Sequence, residues 1–126
     1  MREKLEKLLK NSYAPYSNYR VACLCKMMDG QEFGGVNVEN ASFGATICAE
    51  RNAITNAITS GYQKGDFQEI HIMVDSDKIG TPCFICRQVM TEFMDDNTII
   101  YLYSRFEEKK YTLQELCPHP FNEDNL

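Results

Sequence analysis

The chain has 126 residues, 44% of them hydrophobic, and a formal charge of −5. That length suits one domain spanning residues 1–126, with a small but real core. The acidic balance argues against nucleic acid, whose binders neutralise phosphates with Lys and Arg, and no run of about 18 apolar residues is present to cross a membrane.

The first ten residues are charged and lack the apolar stretch of a signal peptide. Leu5, Leu8 and Leu9 form a helical stripe among Lys and Glu, which predicts an amphipathic helix facing a core. Tyr13-Ala14-Pro15-Tyr16-Ser17 interrupts that pattern. Residues 19–28 read as a strand, Asp29-Gly30 as a hairpin turn, and 31–38 as the partner strand. Thr46 is placed to cap a helix running to Ser60, with Ala49, Ala53, Ile54, Ala57 and Ile58 inward and Gly61 just past its end. Residues 69–75 form a strand with an apolar centre. Thr81 and Pro82 open a further helix, with Ile85, Val89 and Phe93 as its buried stripe. Residues 98–103 form a fourth strand, 110–112 a short fifth, and 113–116 a last helical turn. Helices alternating with the later strands imply an α/β fold, a three-layer α/β/α sandwich around a mixed sheet of about five strands.

Six cysteines without a secretion signal read as reduced thiols or metal ligands, which places the chain in the cytoplasm. Cys48-Ala49-Glu50-Arg51 and Pro82-Cys83-Phe84-Ile85-Cys86 are the informative pair of motifs. Three thiolates fill three positions of a tetrahedral Zn2+ and leave the fourth open, as a catalytic metal requires. Water in that position becomes acidic near neutral pH, and Glu50 then serves as a proton shuttle. Each cluster falls in the first turn of a predicted helix, where free N–H groups favour thiolates. Arg51 can donate to a ligand sulfur from behind.

Other readings of these residues are specific. Cys83 and Cys86 alone at a helix start would also suit a dithiol redox motif. A structural zinc would need a fourth ligand, for which Cys117, His71 and His119 are available. His71 lies mid-strand, as a core residue would, and His119 sits between prolines, as in a loop. Cys23 and Cys25 share a strand face and fit burial as small hydrophobes. Asn37 and Glu39 are two apart, so they share a face opposite Val36 and Val38. An amide beside a carboxylate suits sugar hydroxyls, and it equally suits an exposed strand end.

Cys-Ala-Glu followed by Pro-Cys-X-X-Cys is the three-cysteine pattern of zinc deaminases. The chain resembles a small homotetrameric cytidine deaminase from Tyr13 to Phe121. The resemblance rests on Tyr13–Ser17, Asn37-Val38-Glu39-Asn40-Ala41, Cys48–Arg51, Pro82-Cys83 with Cys86-Arg87-Gln88, and Glu115-Leu116 with Pro118 and Phe121. It implies zinc on Cys48, Cys83 and Cys86, Glu50 as shuttle, and Asn37 and Glu39 on the ribose. Tyr19, Ala41 and Phe43 match pocket-lining positions. Phe121 matches an aromatic that stacks on the base in a neighbouring subunit, so self-assembly into a homotetramer is part of the implied site. Phe84 and Ile85 stand where the family usually has glycine and a small residue, and Cys117 replaces a usual leucine.

The implied reaction is hydrolytic deamination of cytidine and 2′-deoxycytidine in pyrimidine salvage, on a free nucleoside. A deaminase of a cytosine-nucleoside antibiotic is the second enzyme reading. A polynucleotide-editing deaminase fits poorly with the negative charge. A structural zinc or thiol-redox protein is the alternative outside this class.

Overall fold

Alternation along the first strand, β1 (Val21–Met27), sorts the molecule into two cores. Cys23, Cys25 and Met27 enter a large cluster on one face, while Ala22 and Leu24 enter a smaller one on the other. The computed structural model describes all residues, Met1–Leu126. Its remaining strands are β2 (Glu32–Val36), β3 (Phe67–Val74), β4 (Ile99–Tyr103) and β5 (Glu108–Thr112). They form one mixed sheet in the order β2-β1-β3-β4-β5, antiparallel except for the β3–β4 pair.

Helix α1 (Arg2–Leu9) lays Leu5 and Leu9 on the smaller cluster with Met73 and Tyr103. Helices α2 (Ala49–Thr59), α3 (Phe84–Phe93) and α4 (Leu113–Leu116) contribute to the larger cluster. The expected α/β/α layering is therefore present. β2 and β3 both run antiparallel to β1, hence parallel to each other, and α2 is the crossover between them. α3 is the crossover from β3 to β4. Both crossovers pack on the same face, so their N-termini emerge beyond the C-terminal ends of β2 and β3, where open α/β sheets place their ligands.

The turn chemistry follows the sequence. Gly30 adopts φ 90°, and Asp29 Oδ1 accepts from the Gln31 amide at 3.0 Å. α2 ends with Gly61 at φ 102°. Its amide donates to the Ile58 carbonyl and the next amide, of Tyr62, to the Ala57 carbonyl, which satisfies the last turn.

Five local expectations need correction. Thr46 does not cap α2: Cys48 occupies the N-cap, because a 3-10 turn at Phe43–Ala45 holds Thr46 extended and Ile47 pairs with Val38. Thr81 does not cap α3 either, and Pro82 precedes the helix: Cys83 is its N-cap. The buried stripe of α3 is turned by one residue. Cys86 and Met90 are buried, Val89 and Phe93 flank them, and Ile85 is 62% exposed. Strand 31–38 stops at Val36, because the Asn37 side chain replaces a backbone acceptor: its Oδ1 takes the Val21 amide at 2.9 Å. Val38, beyond that break, is 43% exposed rather than turned to the core.

β2 approaches α2 so closely that a Cβ on Gly35 would stand 2.5 Å from the Ala53 amide nitrogen and 2.6 Å from the Ala49 carbonyl oxygen. Backbone cannot yield as a side chain can. Gly35→Ala is therefore expected to push α2 outward and lower stability by roughly 1–3 kcal/mol, read as a shift of the urea midpoint.

Candidate active site

The two helix starts put three sulfurs together. Cys48 precedes α2, Cys83 precedes α3, and Cys86 lies in the first turn of α3. Their Sγ atoms all lie within 4.8 Å of one another, and Cys48 and Cys83 are 3.8 Å apart. Zn–S bonds of about 2.3 Å in a tetrahedron require S···S separations of about 3.8 Å. The donor set thus fits a soft, tetrahedral ion with one position left over. His71, His119 and Cys117 are not in the cluster. His71 is engaged elsewhere, its Nδ1 2.8 Å from the Tyr103 hydroxyl and its Nε2 3.1 Å from Glu69 Oε1, with its ring stacked on Tyr101.

The thiols of the cluster act strongly on one another. The Cys48 thiol is drawn well down, chiefly by a hydrogen bond from Cys86 and further by Arg51 and Cys83. The Cys86 thiol is correspondingly pushed up. The opposite directions show how strongly the two sulfurs interact at this separation. Arg51 sits as expected, Nη2 3.9 Å from Cys48 Sγ and 3.3 Å from the Thr46 carbonyl oxygen. Glu50, one residue into α2, is only 4% exposed. Burial, more than the neighbouring Cys48 charge, raises its carboxyl above the ordinary range.

A cavity of about 290 Å³ opens onto this corner and is lined by Cys48, Glu50, Cys83, Tyr19, Asn37 and Glu39, among others. Its apolar walls come from Val21, Ile72 and Val74 at the adjoining strand ends. Gly80 leaves no room for a Cβ beneath the Tyr19 hydroxyl. Glu39 is held by three donors from the Pro15 turn: the Tyr16 and Ser17 amides at 2.9 and 3.1 Å, and the Ser17 hydroxyl. The Ser17 hydroxyl bond holds the Glu39 carboxyl below its ordinary value.

Not every expected residue enters the cavity. Phe43 lines an adjoining groove with Tyr16, Ser17 and Glu39. Ala41 is exposed. Phe121 lines a separate groove with Phe84 and Cys117, and its carbonyl accepts from Gln88 Nε2 at 2.8 Å. Conversely Ile72, Val74 and Gly80 line the cavity without any motif pointing to them, and Ser17, inside the Tyr13–Ser17 motif, lines it without having been singled out. They are distant in sequence, and only the strand order brings them together.

Known proteins agree with this geometry. The family described as "Cytidine and deoxycytidylate deaminase zinc-binding region" matches residues 1–102. The cytidine deaminase of Mycoplasma genitalium is 36% identical over 120 residues, covering 94% of this chain and 91% of that protein. The cytidine deaminase of Halalkalibacterium halodurans is 36% identical over 118 residues, covering 93% and 88%. Among solved structures, cytidine deaminase from Burkholderia pseudomallei superposes with a TM-score of 0.90 at 35% identity, covering 94% of both chains. That from Mycobacterium tuberculosis gives 0.82 at 26% identity, covering 97% and 94%.

Fold and cluster together define a zinc-dependent aminohydrolase. The chain belongs to the cytidine and deoxycytidylate deaminase family, and zinc is its metal.

Each sulfur would supply one of only three protein bonds to the ion. Cys83→Ala and Cys86→Ala are each expected to lose most of the zinc that the native protein carries, measured by atomic emission after desalting. Full retention in either variant would remove that sulfur from the ligand set.

Proposed function

We propose that the protein hydrolyses cytidine and 2′-deoxycytidine to uridine and 2′-deoxyuridine with release of ammonia, as a step of pyrimidine salvage in the cytoplasm. The observation that carries this reading is a buried carboxylate beside an open three-thiolate cluster, at the base of a cavity whose other end presents an amide and a carboxylate. Cys48, Cys83 and Cys86 would hold zinc, which would supply a nucleophile at neutral pH by acidifying bound water.

The residues of the chain do the rest. Glu50 takes the proton that the attacking water gives up and delivers it to N3 of the pyrimidine as oxygen adds to C4. It then moves the second proton from that oxygen to the amino nitrogen, which leaves C4 as ammonia. A carboxyl raised by burial suits both directions of transfer. Arg51 steadies Cys48 from behind. Ile72 and Val74 exclude water beside the ring. Asn37 and Glu39 orient the sugar, and Tyr19 closes the pocket wall.

The proposed cavity is completed by a second copy of the chain. Phe43, Phe84, Ile85 and Phe121 are all strongly exposed apolar side chains, a surface suited to burial between copies. The proposed assembly is a homotetramer in which Phe121 reaches the pocket of a neighbour. An ionised Glu39 at the sugar end and a net charge of −5 both disfavour a polynucleotide substrate.

Activity is tested directly by loss of cytidine absorbance across a small nucleoside panel, alongside metal content. Glu50→Gln keeps the shape and cannot accept a proton. It is expected to retain zinc while kcat falls by about 10²–10⁴-fold, and near-native turnover with full metal would exclude the shuttle. Cytidine 3′-phosphate is expected to be a very poor substrate in the same assay, because its charge would meet the Glu39 carboxylate. Efficient turnover of that compound, or of single-stranded DNA, would overturn the assignment of the sugar contact.

A further inference from the structure

Asn37 is buried at the sugar end of the cavity, and nearly all of its hydrogen-bonding capacity is committed within the chain. Its Oδ1 accepts from the Val21 amide at 2.9 Å and from the Ser12 hydroxyl. Its Nδ2 donates to the Tyr19 carbonyl oxygen at 2.7 Å. These partners fix which end of the amide is which: the N–H must face an acceptor, and the carbonyl oxygen must face donors. Two donors saturate the two lone pairs of Oδ1. One hydrogen on Nδ2 remains, and no other group of the chain takes it.

Ser12 is the partner that completes this arrangement. It is itself buried, and its position is set by backbone. Its amide donates to the Leu9 carbonyl at the end of α1. The next residue, Tyr13, donates its amide to the Asn37 carbonyl at 3.0 Å, and the Tyr13 carbonyl accepts from the Glu39 amide at 2.8 Å. The segment after α1 therefore runs alongside 37–39 as a short parallel bridge. The Ser12 hydroxyl has nowhere to turn that keeps its bond except toward Asn37.

We propose that Ser12 is a positioning residue for the substrate: by donating to Asn37 Oδ1 it locks that amide as a donor-only contact for the nucleoside 3′-hydroxyl. Glu39, ionised and already holding three donors, is acceptor-only. One hydroxyl can satisfy both, its oxygen accepting from Asn37 Nδ2 and its hydrogen donated to Glu39. A group that only accepts or only donates leaves one of the pair unsatisfied, which is how a polar site discriminates strongly. Without the Ser12 hydroxyl, Oδ1 keeps a single tether and the amide gains freedom to rotate away from the sugar.

The inference rests on the proposed sugar contact, and the test separates the two. Zinc-loaded native protein, Ser12→Ala and Ser12→Thr are assayed on cytidine and on 3′-deoxycytidine. Native protein should favour cytidine. Ser12→Ala should lower kcat/KM for cytidine by about 2- to 12-fold, the worth of one hydrogen bond, and leave the 3′-deoxycytidine value unchanged. Ser12→Thr, which keeps the hydroxyl, should restore the cytidine value. Equal losses on both substrates would mean a merely structural role, and no loss on cytidine would mean none. Either result overturns the proposal while the native preference still supports the sugar contact. A native protein that treats the two nucleosides alike overturns the contact itself, and the role of Ser12 with it.

Discussion

Three sulfurs drawn to within 4.8 Å of one another cannot all be thiolates unless a cation lies among them. This constraint shapes the whole catalytic half of the fold. It needs two helix N-termini side by side, which requires two parallel strands feeding two crossovers on one face. It also needs α2 close against β2, which Gly35 permits by having no side chain. With Cys48 and Cys83 at the N-caps themselves, the free amides of both first turns lie next to the sulfurs. The metal then relieves repulsion that the helix ends only soften.

The two ends of the cavity work by opposite means. At the metal end a carboxyl is removed from solvent, and burial raises it. At the sugar end a carboxyl is surrounded by donors and stays charged. Glu50 and Glu39 are the same residue type, and burial against hydrogen bonding shifts their carboxyls in opposite directions, as the proposed shuttle and the proposed acceptor require.

The sequence made the chemistry more legible than the surroundings. Cysteine spacing, Gly61 behind the end of α2, and the Asp29-Gly30 hairpin are local signals, and each appears in the structure. The expected caps Thr46 and Thr81 failed because propensity cannot see that the chain is held extended through Ile47 and Pro82. Ile85 was expected inside by hydrophobicity, yet Cys86 takes the inward position as α3 turns its first-turn sulfur toward Cys48. Ile72, Val74 and Gly80 could not be singled out, since neighbours across a sheet leave no spacing in the chain. Ser12 is the extreme case, a single hydroxyl whose meaning depends on a side chain 25 positions away.

The two faces of the sheet are unequally covered, and this has a dynamic consequence. One carries three helices on a cluster of 16 buried residues, and the other carries α1 alone on a cluster of six. Local opening follows the smaller apolar burial, so α1 is the element that detaches at least cost. Ser12 and Tyr13 continue directly from α1 into the Asn37 contacts. Fraying at the N-terminus would therefore loosen Asn37, and with it the proposed grip on the sugar, while the cysteine cluster stays intact. Amide exchange should divide the pocket in the same way, fast along the α1 edge and slow at the starts of α2 and α3.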